Sequence, residues 1–173
     1  VKKYLDEFLM DERVIGKSYW FRWFLVKVII LNTRPKKSAK AYKKIWWKEG
    51  SPLVVLSYRL LEKVKKFLDI PVALAMRYGS LSIEKGIDEL VENNVTEIKF
   101  LPLYPHYAMS SYETVVEKAK EIMISKYPQI KFSTIKPFYR DKNYIKLLSN
   151  KIKDKISKVD YDHILFSYHG IPE

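Results

Sequence analysis

Three histidines are the side chains of this sequence best suited to proton transfer or metal binding near neutral pH. His169 follows the apolar run HILFSY and precedes Gly170, so a strand there would bring its imidazole to an open turn at the end of a sheet. Such an imidazole serves as a general base or a metal ligand. The alternative is a strand-end histidine that hydrogen-bonds a neighbouring loop. The position of His169 alone leaves both interpretations open.

The other two histidines are weaker candidates. His106 lies at a second predicted strand end, where it would approach His169 if the two strands are close in the sheet. A turn histidine stacked among Tyr104 and Tyr107 is at least as good an interpretation. His163 begins its predicted strand, which places it on the opposite edge of the sheet, and we assign it no role.

The sequence lacks the residues that several kinds of chemistry require. The chain has no cysteine, which excludes disulfides, thiol catalysis and an iron–sulfur cluster held by these residues. The histidines form no HExxH pattern, so a three-histidine zinc site is not expected. With five glycines, no glycine-rich phosphate loop and no GxSxG elbow, the sequence disfavours nucleotide binding and hydrolases of that type.

The net charge of +12 comes mostly from lysines dispersed among 20 acidic residues, which is typical of a solvated surface and disfavours a nucleic-acid partner. Residues 34–48 differ, since they hold seven basic residues and no acid. They follow an aromatic run, Tyr19-Trp20-Phe21 with Trp23 and Phe24. The pair of segments has the composition that a flat apolar ligand with carboxylates requires. The alternative is a core helix followed by a solvated helix, and composition alone favours this alternative.

The most apolar run, from Tyr19 to Leu31, covers 13 residues and contains Arg22 and Lys27. It is shorter than the roughly 20 apolar residues that cross a bilayer, so no spanning helix is expected. Because it is apolar nearly all round, it predicts a helix that is buried or lies against an apolar ligand or a membrane surface. No signal peptide is visible, and the start at Val1 suggests a fragment.

The apolar periodicity predicts an α/β fold. The first third has helical spacing, with Pro35 expected to end one helix and start the next. Farther along, the strand-like runs PVALAMRY, EIKFLPLY, IKFSTIK and HILFSYH alternate with helical runs. This alternation predicts a parallel sheet with helices on both faces, and ligands bind at the carboxyl ends of such strands. The unusual residues Arg77, Tyr78, Tyr104 and His169 all lie at those predicted ends.

Six segments resemble ferrochelatases, the enzymes that insert ferrous iron into a porphyrin: LMDERVIG, RPKKSAKAYKKIW, EGSPL, ALAMRYGSLSIE, LPLYPHYAMSSYE and LFSYHGIP. They occur in the same order and at compatible spacing over nearly the whole chain. The resemblance implies a Rossmann-like fold of two similar lobes with the porphyrin cleft between them. Residues 1–140 would form the first lobe without its opening strand, and residues 141–173 would begin the second. The chain alone is then expected to be inactive.

The resemblance also implies roles for individual residues. His169 matches the family's catalytic histidine, which takes a pyrrole proton, binds the incoming iron, or both; its acidic partner would lie beyond Glu173. Contacts to the porphyrin propionates are implied for Arg34, Tyr42 and Ser51. Positions near the metal route are implied for Arg77, Tyr78 and Tyr104. The helix from Tyr19 to Leu31 would form the apolar lip of the cleft and touch the membrane peripherally.

Ferrous iron and a porphyrin, either protoporphyrin IX or coproporphyrin III, are the substrates that the resemblance implies, in a cytoplasmic enzyme. No tightly bound cofactor is expected, and Met109 stands where some relatives place a cluster cysteine. His106 and the run SYET depart from the family's usual residues, which leaves the contacts of that loop open. The alternatives are a chelatase for another tetrapyrrole such as sirohydrochlorin, and a noncatalytic porphyrin-binding module.

Overall fold

A computed structural model describes residues 1–168 and 170. The helices of this region are α1 (Lys2–Leu9), α2 (Tyr19–Trp23), α3 (Leu31–Lys43), α4 (Pro52–Lys65), α5 (Ile83–Glu92), α6 (Thr114–Lys126) and α7 (Lys142–Ile156). Two π-helical segments, Phe24–Ile30 and Met109–Glu113, lead directly into α3 and α6. The strands are β1 (Glu97–Phe100) and β2 (Lys131–Thr134). This is a mixed α/β arrangement, as the periodicity predicted.

Strands β1 and β2 pair in parallel, with Ile98 opposite Phe132, and α6 makes the crossover between them. The predictions of strands in EIKFLPLY and IKFSTIK are confirmed. Parallel strands require a long crossover, usually a helix, and α6 fills that place. The main core lies where α5 and α6 cover this sheet; its buried members are Ile83, Ile87, Ile98, Val115, Ala119, Ile122 and Met123.

Two predicted strands are wrong. In PVALAMRY, residues 71–75 are in no ladder, and Met76 makes only an isolated bridge to Ser82. In HILFSYH, the described residues 163–168 pair with no strand, and Leu165 is 95% exposed. An apolar run supplies side chains for a strand, but its hydrogen bonds come from a neighbouring strand. The described residues therefore form a two-stranded parallel sheet rather than the larger one predicted.

The helix boundary predicted at Pro35 is also wrong, because α3 runs through this proline. A proline inside a helix leaves the carbonyl four residues earlier, here that of Leu31, without its usual donor. The Asn32 side-chain amide donates to the Val28 carbonyl at 2.8 Å, and the Thr33 hydroxyl donates to the Ile29 carbonyl at 2.9 Å. Both acceptors lie in the preceding π-helical segment, so these bonds stabilise that segment and do not replace the donor that Pro35 lacks.

A second apolar cluster forms near the start of the chain. Leu5 and Leu9 of the predicted amphipathic helix α1 pack on Val26 and Leu31. The segment from Tyr19 to Leu31 therefore has one buried face. Its other face is exposed through Tyr19, Trp20, Phe21, Trp23, Phe24, Val28 and Ile29. Among the described residues, no helix has both the length and the apolarity that a bilayer crossing needs.

Candidate functional site

A buried carboxylate, Asp11, lies at the centre of the predicted site. It follows α1, and its side chain is 3% exposed. Asp11 Oδ2 accepts from Arg77 Nη2 at 2.5 Å, from the Tyr78 hydroxyl at 3.0 Å, and from the Thr114 hydroxyl. Asp11 Oδ1 accepts from the backbone N–H of Arg13 at 2.9 Å. The carboxylate thereby joins α1, the loop before α5 and the first residue of α6.

Arg77 completes this network from the other side. Its Nε donates to the Thr114 hydroxyl at 2.9 Å and to the Thr114 carbonyl at 3.2 Å, and its guanidinium carbon lies 4.6 Å from the centre of the Tyr78 ring. Next to it, the backbone N–H of Gly79, which has a φ of +96°, donates to Glu7 Oε2 at 2.9 Å. That φ favours glycine. The loop 77–79 is thus tied to α1 at two points.

The protonation states within the network are fixed. Burial alone would raise the pKa of Asp11, but the hydrogen bonds from Thr114, Arg13 and Tyr78 and the charge of Arg77 outweigh it, so the pKa lies below its ordinary value. Burial, with the Asp11 charge beside it, raises the pKa of Tyr78 far above its ordinary value. Asp11 is therefore an anion and Tyr78 a neutral donor near neutral pH. This network positions Arg77 and Tyr78 and does not itself transfer protons.

Tyr4 of α1 packs on one predicted porphyrin contact, Tyr78, and lies within electrostatic range of two others, Tyr42 and Tyr104. The Tyr4 ring centre is 6.2 Å from that of Tyr78 in an edge-to-face arrangement, and Phe8 lies 5.4 Å from Tyr78. Burial raises the pKa of Tyr4, and the neighbouring phenols of Tyr42 and Tyr104 raise it further. Tyr78 thus packs on Tyr4, while Tyr42 and Tyr104 lie close enough for their charges to act on Tyr4. We call these four residues the tyrosine cluster.

The tyrosine cluster is partly open to solvent. Tyr4, Tyr42 and Tyr104 are each about two-fifths exposed. Burial raises the pKa of Tyr104, so this phenol is also neutral near neutral pH. Neutral rings that are exposed on one side provide an apolar stacking surface with hydroxyls at its margin.

The two remaining propionate candidates lie in different surroundings. Arg34 is exposed on α3 and forms no ion pair with any described residue. It precedes Tyr42 by eight residues, so both lie on the same stripe of this helix. Ser51 is the residue before α4 and is half-buried, and its hydroxyl makes no capping hydrogen bond. Within residues 1–168, neither side chain is hydrogen-bonded to the tyrosine cluster.

The histidine predictions have different outcomes. His106 stacks on Tyr139, with ring centres 5.3 Å apart and planes 19° apart, so it is a stacked turn histidine, although its partner is neither Tyr104 nor Tyr107. His163 is exposed, and its predicted strand is absent. His169 lies outside the described residues, so its predicted role stays a prediction.

Sequence reasoning missed Asp11, Thr114 and Tyr4. Asp11 directly follows the apolar pair Leu9-Met10 at the end of an amphipathic helix, and an acid in that place was the available signal. Thr114 and Tyr4 have no such signal, because a threonine at a helix start and a tyrosine on an amphipathic helix are common. Among the residues that the structure describes, no three acidic or histidine side chains gather as a metal site requires.

Comparison with known proteins decides the family. The family model described as ferrochelatase matches residues 1–173. The chain belongs to the ferrochelatase family. It is 45% identical over 175 residues to the ferrochelatase of Opitutus terrae, covering 99% of this chain and 50% of the relative. It is 44% identical over 174 residues to that of Pseudomonas syringae pv. syringae, covering 100% of this chain and 51% of the relative. The chain spans about half the length of the curated relatives it matches.

The Asp11 network and the tyrosine cluster are thus features of the first half of a ferrochelatase-family sequence. Of the six segments that carried the resemblance, LMDERVIG contributes Asp11, ALAMRYGSLSIE contributes Arg77 and Tyr78, and LPLYPHYAMSSYE contributes Tyr104. The first two of these segments, which are far apart in the sequence, therefore meet at Asp11.

Proposed function

We propose that the full-length protein inserts ferrous iron into a porphyrin and that this chain supplies one wall of the porphyrin cleft. The observation that carries the proposal is the packing of Tyr78 on Tyr4 beside the buried Asp11–Arg77 pair, with Tyr42 and Tyr104 within electrostatic range of Tyr4. A flat macrocycle needs aromatic area held at a fixed angle. The tyrosine cluster offers that area, and the Asp11 network holds one of its rings in place.

The propionates at the edge of the porphyrin would be held by charge. Arg34 and the lysines of α3 face solvent without an acid among residues 34–48, so they are available to pair with propionates. Tyr42 on the same helix would pack on the ring edge, and Ser51 would donate from the start of α4. Held at its rim, the macrocycle can be bent, which exposes the nitrogen lone pairs to the incoming iron.

The reaction exchanges two pyrrole protons for one ferrous ion, so it needs a proton acceptor at the ring centre. His169 is the proposed acceptor or transient iron ligand, by its place in LFSYHGIP. Iron is a substrate here, and we propose no tightly bound cofactor and no iron–sulfur cluster. We also propose the two-lobed Rossmann-like fold for the full-length protein, with residues 1–140 in the first lobe and 141–173 beginning the second.

The test uses the full-length protein with ferrous iron and each of protoporphyrin IX, coproporphyrin III and sirohydrochlorin. Porphyrin turnover is expected, with loss of turnover but retained porphyrin binding in His169→Ala. His163→Ala is the matched control and should keep turnover. Turnover of sirohydrochlorin alone would identify a different chelatase, and porphyrin binding without turnover by the wild type would identify a carrier.

We further infer that the enzyme is cytoplasmic and contacts membranes peripherally through the exposed face of the segment from Tyr19 to Leu31. Trp20 is 76% exposed at its start, while Val26 on the other face is fully buried. Tryptophan and tyrosine favour the membrane–water interface. Trp20→Ala should therefore lower vesicle binding, whereas Trp46→Ala, which removes an exposed tryptophan elsewhere, should not. Equal binding by both variants would remove this surface from the proposal.

A further inference from the structure

Arg22 is the single buried cation among the described residues. Only 7% of its surface is exposed. Its Nη1 donates to the Lys17 carbonyl at 2.7 Å and to the Ile15 carbonyl at 3.4 Å, while its buried Nε has no hydrogen-bond partner in the part of the chain that the structure describes. No carboxylate of the described residues lies within ion-pair distance of it. Within the part of the chain that the structure describes, neutral carbonyls are thus the only acceptors of this guanidinium.

Such an arrangement is unfavourable unless an anion compensates it. Moving a charge out of water costs several kcal/mol when no counterion accompanies it. Arg77, which is only partly buried, follows the usual rule, because Asp11 is its partner at 2.5 Å. Arg22 is more buried than Arg77 but lacks a carboxylate partner among the described residues, which indicates a place for an anion from outside the chain.

A cavity of about 430 Å³ adjoins Arg22, and we call it the Arg22 cleft. Its lining is formed by Glu12, Arg13, Gly16, Lys17, Ser18, Tyr19, Arg22, Met109 and Glu113. The cleft is open to solvent and has more than the room that a phosphate group needs. It lies between the loop after α1 and the π-helical segment before α6.

The charged residues of the cleft form two groups, one paired and one unpaired. Arg13 pairs with both acids, at 3.3 Å to Glu113 and at 3.5 Å to Glu12, and Glu113 also accepts from the Tyr107 hydroxyl. Lys17 forms no ion pair within the described region, and Arg22 forms none either. Two cations and the Ser18 hydroxyl of the cleft lining therefore have no acidic partner among the described residues.

We propose that the Arg22 cleft binds a small oxyanion of the phosphate class, held by Arg22, Lys17 and the Ser18 hydroxyl. Charge-assisted hydrogen bonds from guanidinium and ammonium groups to phosphate oxygens are the strong ones among protein hydrogen bonds. The oxyanion comes either from free phosphate or from a phospholipid headgroup, because the exposed rings of Tyr19 and Trp20 adjoin the cleft along the chain. This inference does not depend on porphyrin binding or iron insertion.

Gly16 provides a variant that tests the cleft without touching the buried arginine. A Cβ added to Gly16 would meet nothing within 4 Å, and this glycine has no positive φ, so Gly16→Asp and its neutral match Gly16→Asn both fit the backbone. The aspartate places a carboxylate in the cleft, where it competes with the oxyanion. The asparagine has the same shape without the charge.

The experiment measures phosphate binding to the full-length protein by calorimetry at constant ionic strength, and co-sedimentation with phosphatidylcholine vesicles with or without phosphatidylglycerol. Gly16→Asp should weaken binding by about tenfold or more relative to Gly16→Asn, since the aspartate carboxylate pairs with the cations of the cleft in place of the oxyanion. Binding of inorganic phosphate identifies the free ion as the source. Binding of phosphatidylglycerol vesicles alone identifies the headgroup.

Two results would overturn the proposal. One is that neither phosphate nor phosphatidylglycerol vesicles bind the wild type. The other is that Gly16→Asp binds as tightly as Gly16→Asn. Either result would leave Arg22 with the purely structural task of closing the loop through the Ile15 and Lys17 carbonyls.

Discussion

Arg77 and Asp11 are 66 positions apart in the sequence and meet at 2.5 Å between Nη2 and Oδ2. The same carboxylate reaches Thr114, which is 103 positions away. Through this one buried group, α1, the loop before α5 and the start of α6 are held together, and Tyr78 is fixed against Tyr4 and Phe8. The stability of the fold and the geometry of the proposed porphyrin wall therefore rest on the same contact.

Removing the charge of Asp11 should destabilise the protein. Asp11→Asn keeps the size of the side chain but leaves Arg77, which is 20% exposed, without its counterion. Breaking a buried pair on one side costs about 3 kcal/mol. Denaturant unfolding should show a loss of this size, whereas Asp160→Asn, at an exposed acid, should change the free energy of unfolding little. A loss no larger than that of the control would contradict the role given to Asp11.

The low pKa of Asp11 predicts a pH dependence. Because the folded-state pKa lies below the ordinary 3.8, the unfolded chain takes up the proton first as the pH falls. The contribution of Asp11 to stability is therefore complete above pH 3.8 and is lost as the pH falls through the folded-state value. Unfolding measured across this range should show the gap between wild type and Asp11→Asn narrowing in acid. A gap that stays constant there would show that the carboxylate is not stabilised in the fold.

The outcome for the predicted strands shows what a local apolar pattern can predict and what it cannot. β1 and β2 were predictable, because an apolar run on each side of a helix of 13 residues is a complete parallel unit within 38 consecutive positions, 97–134. Residues 163–168 have an equally apolar pattern and form no strand, since no neighbouring strand lies beside them in the described region. A pattern specifies what a segment would bury, and its hydrogen-bond partner comes from elsewhere in the fold.

The same distinction, between a local pattern and a partner from elsewhere in the fold, applies to the candidate site. Arg77, Tyr78 and Tyr104 were predictable as members of a resemblance, and of these Arg77 and Tyr78 both hydrogen-bond Asp11. The pairing of Asp11 with Arg77 was not predictable, since the local signal at Asp11 marks an acid but not the arginine that it contacts. The passage of α3 through Pro35 was likewise not predictable, because a proline more often begins or ends a helix than lies inside one.

Stacking on the tyrosine cluster should be visible in porphyrin affinity. Tyr104→Leu removes an aromatic face that is 40% exposed, and aromatic contacts contribute about 1 kcal/mol beyond their buried area, so the dissociation constant should rise by about fivefold. Tyr104→Phe keeps the ring and should bind nearly as well as the wild type. Fluorescence titration with porphyrin measures both. Tyr161→Leu, at an exposed tyrosine outside the cluster, is the control, and an equal loss there would show that the effect is not local.

Gly86 of α5 lies close against residues 74–75, which precede the site. A Cβ built on Gly86 would lie 3.0 Å from the Cβ of Ala75 and 3.6 Å from the carbonyl oxygen of Leu74. A larger side chain must therefore push residues 74–75 away from the helix, and with them the loop that carries Arg77. Overpacking of this kind costs about 2 kcal/mol, which exceeds the helix propensity gained by replacing glycine.

Gly86→Val should therefore lower the free energy of unfolding by about that amount and also weaken porphyrin binding, because Arg77 and Tyr78 would shift relative to Asp11. Gly86→Val combined with Ala75→Gly removes the opposing methyl group and should recover part of both losses. Denaturant unfolding and porphyrin titration of the single and double variants measure the coupling. Independent, additive effects of the two substitutions would mean that residues 74–75 do not transmit the strain, and that the loop is positioned by the Asp11 network alone.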